Sequence, residues 1–192
     1  TLWGTCPQRA SEVYRELSSK INGEKGRRLA TLYERAKFKI DPRDDGRFDG
    51  WYEPSHDDAE WDEILTTQPF YAQGNYIDEQ GFPYQGAMWY RFNLDIPNLD
   101  RQRKTAVNTA RLYALAAETE AWIWVNGKFI GHRPYQDAYY RPTPIDMDIT
   151  SGIRKGANQI TVRLHTHHRP AQMAGGLVSR LFIYSPNKKR LK

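Results

Sequence analysis

The chain has 192 residues, 39% of them apolar, and carries 28 Lys and Arg against 23 Asp and Glu, a formal charge of +5. That length fits one domain with a sizeable core. No run of about 18 apolar residues is present to span a membrane, and the single cysteine, Cys6, excludes an intrachain disulfide and leaves the redox compartment open. The basic excess favours a polyanionic partner, nucleic acid or an acidic or sulfated polysaccharide, without choosing between them. Aromatic content is 13%, with 6 Trp and 12 Tyr, which serves either a β-sandwich core or a surface that stacks on flat ligand faces. No signal peptide is recognisable, and Thr1 in place of an initiator Met reads as the cut end of a longer chain.

From Pro7 to Ala36 the pattern is helical. Val13, Leu17 and Ile21 recur at four-residue spacing, Leu29, Leu32, Tyr33 and Ala36 form a second stripe, and Asn22-Gly23 breaks between them. Two helices are expected, the edge of an upstream module over residues 1–36, with apolar faces that need a partner. From Lys37 the character changes to short β-runs between turns: Lys37 to Ile40, Ala87 to Ile96, Ala110 to Ala116, Ile145 to Ile149, Gln159 to Thr166 and Leu177 to Ser185. Asp41 to Gly46 is a turn-rich loop, and Asp57-Asp58-Ala59-Glu60-Trp61 suggests a capped helical turn. The strongest local signal is Ala121-Trp122-Ile123-Trp124-Val125-Asn126-Gly127-Lys128-Phe129-Ile130-Gly131. Asn-Gly between apolar runs marks a type I′ hairpin, because both turn residues must reach positive φ. Trp122 and Trp124 then share one face of the strand and Ile123 the other. With Trp51, Trp61 and Trp89 they are read as core. Arg91, inside an apolar strand, requires a carboxylate or a ligand. Residues 187–192, with Lys188, Lys189, Arg190 and Lys192, are a basic tail.

Five blocks in order, FKIDPRDDGRFDGWYEPSHDDAEWDEI, GAMWYRFNLDIP, AWIWVNGKFIG, PIDMDITSGIRKGANQITVRL and GGLVSRLFIYSP, resemble the sugar-binding domain of glycoside hydrolase family 2 and related galactose-binding-like jelly rolls. The resemblance covers roughly residues 37 to 186. It implies a mostly β fold, an antiparallel jelly-roll sandwich with an N-terminal helical segment. It further implies an accessory domain of a multidomain, secreted glycan-degrading protein, extracellular or periplasmic, with a catalytic domain elsewhere in the same chain. In that family the catalytic acids lie on a separate barrel, and the jelly roll of galactosidase members lends an Asp from the loop before the final strand. Here that loop, Thr166 to Gly176, contains no Asp or Glu. Glycosidases need two carboxyl groups flanking one bond, and the carboxylates present sit in loops where turn and capping roles explain them. The domain is therefore expected to be non-catalytic.

Binding residues are expected on long loops. His132 to Pro142 carries Arg133, Tyr135, Asp137, Tyr139, Tyr140 and Arg141, an aromatic and charged set suited to a pyranose; Tyr139 and Tyr140 serve equally well as plugs at the end of the core. Tyr71 to Gln85, with Tyr76 and Tyr84, has similar chemistry and by resemblance shares that rim. His167 and Arg169, past the last long strand, join the set. His165 and His167 share a strand face, near enough to share a metal, but no third ligand is identifiable from spacing, and polar groups facing solvent or sugar are the better reading. No cofactor is required. The resemblance admits a structural calcium, for which Asp41, Asp44, Asp45 and Asp148 are suitable oxygen ligands. The expected partner is a poly- or oligosaccharide; a bracing domain without sugar binding is the alternative. Nucleic-acid binding lacks any recognisable motif.

Overall fold

The computed structural model describes residues 7–31, 34–97, 109–136, 143–167 and 175–187. One helix, α1 (Pro7–Ile21), precedes ten strands: β1 (Gly26–Thr31), β2 (Arg35–Asp41), β3 (Asp62–Leu65), β4 (Ala87–Ile96), β5 (Arg111–Ala117), β6 (Glu120–Val125), β7 (Lys128–Arg133), β8 (Thr143–Asp148), β9 (Gly156–His165) and β10 (Leu181–Pro186). They form two antiparallel sheets, β1-β10-β5-β8 and β3-β2-β4-β9-β6-β7, packed face to face as the expected jelly-roll sandwich. Alternation along β4 shows why: Met88, Tyr90, Phe92, Leu94 and Ile96 enter the core between the sheets, while Asn93 and Asp95 face out. Phe38 sits at the centre of that core, its ring 4.9 Å from Tyr90 and 5.1 Å from Tyr76.

The second expected helix is not formed. Residues 26–31 are strand β1, paired with β10. The physical reason is a bulge: the register shifts between Arg28 and Ala30, so Leu29 and Ala30 both pack on the core. An inserted residue breaks the period of two and leaves apolar spacing that imitates a helix. The first helix is formed, and its apolar stripe is covered at Leu17 and Ile21. Leu17 and Ile21 pack on Tyr113, Phe182 and Tyr184, on the outer side of the four-stranded sheet, and Lys20 reaches Asp146 at 3.2 Å across the Tyr113 and Tyr184 rings. The 57–61 segment is corrected too: Asp57 caps only the Ala59 N–H, at 3.0 Å, in a turn that leads straight into β3.

The hairpin is as expected, Asn126 at φ 53° and Gly127 at φ 79°. Asn126 also donates to Gly152 and to Asn158, each at 2.9 Å, and accepts from the Gln159 N–H at 3.0 Å. On the outer face of the six-stranded sheet the loop between β2 and β3 covers a second cluster of Trp51, Trp61, Trp89 and Trp124, with Tyr52 and Trp122 partly buried at its edge. Arg91 finds its carboxylate there, donating to Asp58 at 2.7 Å and to the carbonyls of Trp51, Glu53 and His56.

Candidate functional site

Beyond the tryptophans, at the end of the sheet where β6 begins and β9 ends, polar and aromatic side chains form a continuous chain. Arg163, 2% exposed, donates to Asp44 Oδ1 from Nε at 3.0 Å and Nη2 at 2.6 Å. Its guanidinium lies 4.2 Å from the centre of the Trp122 ring, and Trp122 stacks on His132 at 4.6 Å and 14°. His132 Nε2 is 2.6 Å from Glu120 Oε1, and His167 Nε2 is 2.6 Å from Glu120 Oε2. Tyr135 meets the His167 ring edge-on at 5.1 Å, and His165 lies 4.3 Å from His167. One carboxylate thus bridges two imidazoles, beside a Tyr that is 43% exposed.

The electrostatics follow from that bridge. Burial alone would raise the Glu120 carboxyl, but hydrogen bonds from His167 and His132 outweigh it and hold the group below the ordinary Glu range. His165 is lowered, first by burial and then by the neighbouring His167 and Arg163. Next to this rim, Glu118 is buried and pushed up to about 7 by desolvation, against the opposing pull of the Gly176 and Gly175 N–H groups and Arg133. Its Oε2 accepts from the Gly176 N–H, while Oε1 has no hydrogen-bond partner among the described residues.

Of the residues expected to bind ligand, Tyr135 and His167 are brought together here. Asp137, Tyr139, Tyr140, Arg141 and Arg169 lie outside the described residues. Tyr76 and Tyr84 are not part of the cluster and pack on the main core. Tyr76 donates to Asp62, and its hydroxyl is raised first by burial. Tyr84 donates to the Ala87 carbonyl at 3.0 Å and is pushed up to about 12, again mainly by burial. Glu120 and His132 were not anticipated from sequence. A plain two-residue hairpin would place His132 opposite Ala121, on the core face. The register shift between Ile123 and Trp124 places it opposite Trp122 instead, on the outer face.

The four candidate calcium ligands are not assembled. Asp41 accepts from the Asp45 and Gly46 N–H groups and from Trp89 Nε1. Asp44 holds Arg163 and Arg47, Asp45 holds Arg43, and Asp148 caps the Thr150 N–H. Among the described residues no group of three or more His, Cys, Asp or Glu is arranged to hold a metal ion, so the His165–His167 pair has no third ligand there either. Among the same residues, no helix is long and apolar enough to cross a membrane.

No protein-family model matches the sequence, and no curated protein does. The fold is similar to that of solved structures of β-glucuronidase from Ruminococcus gnavus. Against that enzyme in complex with D-glucaro 1,5-lactone the TM-score is 0.66 at 15% identity, covering 88% of this chain and 31% of the enzyme. With D-glucuronic acid the values are 0.66, 15%, 88% and 31%, and with uronic deoxynojirimycin 0.67, 15%, 88% and 30%. This chain spans less than a third of the length of those enzymes, and what it shares with them is the sandwich fold of one part.

Proposed function

We propose that the chain is a non-catalytic carbohydrate-binding domain of a larger, secreted glycan-degrading protein related to glycoside hydrolase family 2, with no cofactor. The observation that carries the reading is the rim cluster: an exposed Tyr135 ring beside the Glu120 carboxylate and the two imidazoles it bridges. An aromatic face suits the C–H side of a pyranose, and carboxylate and imidazole suit its hydroxyls. The non-catalytic reading is supported by the fold similarity to less than a third of each glucuronidase and by the 166–176 loop, whose sequence contains no Asp or Glu. An acidic glycan is favoured by the +5 charge and by the uronic-acid ligands of the similar enzymes.

A glycan array including uronic-acid and sulfated chains tests this. Tyr135→Ala should weaken binding to any hit by ~1–3 kcal/mol, as for an aromatic anchor, and should leave stability almost unchanged, since the ring fills no core space. Hydrolysis of a glycoside by the chain, abolished by one carboxylate substitution, would show that the domain is catalytic.

The second reading is a bracing domain that binds no sugar itself. It is supported by the fold similarity to one part of larger enzymes, which a bracing domain fits as well as a binding one. An array without a single hit would leave bracing as the function.

A further inference from the structure

The outer face of the six-stranded sheet has a second polar end, away from the rim cluster. Side chains run across β4, β9 and β6 in rows: Trp89, Arg163 and Trp122; Arg91, Thr161 and Trp124; Asn93, Gln159 and the turn residue Asn126; then Asp95 and Ala157. The loop between β2 and β3 covers the first two rows. Past Pro54 the last two rows are uncovered, and there an open groove of about 470 Å³ is lined by Pro54, Asn93, Asp95, Arg154, Ala157 and Gln159, among others. That volume falls within the roughly 300–1,000 Å³ of small-ligand sites.

The walls are held by their own hydrogen bonds. Asn158 Oδ1 accepts from Asn126 Nδ2 and from the Arg154 N–H, both at 2.9 Å, and its Nδ2 donates to the Arg154 and Gly156 carbonyls, both at 2.7 Å. The hairpin turn and the loop leading into β9 are thereby locked together. Gln159, in the floor, is different. It is 7% exposed, and among the described residues its buried Oε1 has no hydrogen-bond partner. The part of the amide that meets the groove is therefore Nε2, which donates. Beside it, Asn93 and Asp95 project outward from β4 and are exposed.

This chemistry selects a ligand class. The Asp95 carboxylate in the floor opposes a phosphate backbone or a polyanionic chain. A peptide strand finds no free edge, because β4 and β9 are central strands paired on both sides. The apolar residues of the lining are Pro54, Ala157 and Leu94, and the polar groups set among them would be left unpaired by a wholly apolar ligand. Vicinal hydroxyls fit: each both donates and accepts, as do the Asn93 and Gln159 amides, while Asp95 accepts two donors and Arg154 supplies donors. We propose that this groove is a binding site for a neutral, hydroxyl-rich ligand, a short stretch of uncharged glycan, separate from the rim.

The test is a titration of the whole chain with neutral cello-, galacto-, manno- and xylo-oligosaccharides, read by NMR shifts of side-chain amides and by affinity. At least one should shift the Asn93 and Gln159 amides, and Asn93→Ala and Asp95→Ala should each weaken it about tenfold or more, the loss expected for one or two hydrogen bonds. Both positions are exposed, so these variants should fold. Tyr135→Ala should leave this binding unchanged. The proposal is overturned if no oligosaccharide moves those amides at millimolar concentration, or if binding survives the Asn93→Ala/Asp95→Ala double substitution. Loss of binding in Tyr135→Ala alone would also overturn it while leaving the rim reading intact. Groove binding without any effect of Tyr135→Ala on any glycan would sink the rim reading and keep this one.

Discussion

Single residues decide how this surface responds to pH and charge. Glu118 is the clearest case. Its carboxyl is pushed up to about 7, first by burial, so the folded chain holds this proton more tightly than the unfolded chain does. The group therefore contributes stability in acid, fully below the ordinary Glu value, and that contribution is lost as pH rises through about 7. A shift of this size corresponds to about 3 kcal/mol at most. Urea unfolding at pH 5, 6, 7 and 8 should show the stability of the unsubstituted chain falling relative to Glu118→Gln across that window; a constant difference would show that Glu118 does not take up a proton on folding. Asp44 is a second case. It accepts both hydrogen bonds from the nearly inaccessible Arg163, whose buried Nη1 has no partner among the described residues. Asp44→Ala should lower stability by ~2 kcal/mol, the range for hydrogen bonds to a charged group. It should also disturb the Trp122–His132 stack, seen as a change in tryptophan fluorescence. None of these pairings is visible in the sequence, since Asp44 and Arg163 are 119 positions apart.

At the scale of elements, the hairpin is local chemistry and most other features are not. Asn126-Gly127 forms its turn because Gly127 adopts φ 79° without a Cβ. A Cβ there would also lie 2.7 Å from Glu53 Oε2 and 3.0 Å from Pro54 Cδ. Gly127→Ala should therefore destabilise the domain by about 1–3 kcal/mol through left-handed strain and crowding, measured by thermal or urea unfolding. An unchanged midpoint would show that the loop carrying Glu53 and Pro54 gives way freely. The turn alone does not set the face on which His132 lies; the register shift in β6–β7 does that. The bulge in β1 acts in the same way, turning a strand into an apparent helical stripe. In both places one inserted residue exchanges the faces, and only the partner strand shows where it is inserted. Helix α1 depends on its partner too. At this length an isolated helix is marginal in water, and Leu17 and Ile21 give it a place on Tyr113, Phe182 and Tyr184.

For the whole molecule, stability rests on the core shared by the two sheets, with Phe38 fully buried against Phe70, Tyr76 and Tyr90. Phe38→Ala should lower unfolding free energy by ~3–5 kcal/mol, and Ile145→Val, on the opposite sheet, by ~0.5–1.5 kcal/mol. A loss below about 1 kcal/mol for Phe38→Ala would mean that the core collapses around the vacancy. By itself the sequence determined the sandwich class, the strands around β4, β6 and β9, and the hairpin turn. Period-two alternation and the Asn-Gly dipeptide act within a few residues and need no distant partner. It also singled out Tyr135 and His167, because long polar loops and strand ends announce themselves by composition. Only the tertiary structure decided that residues 26–31 are a strand, that α1 is covered at Leu17 and Ile21, that Tyr76 and Tyr84 face the core, and that Glu120 and His132 complete the rim. Each of those outcomes depends on what another strand or loop places opposite, and burial of a shared face outweighs local spacing whenever the two disagree.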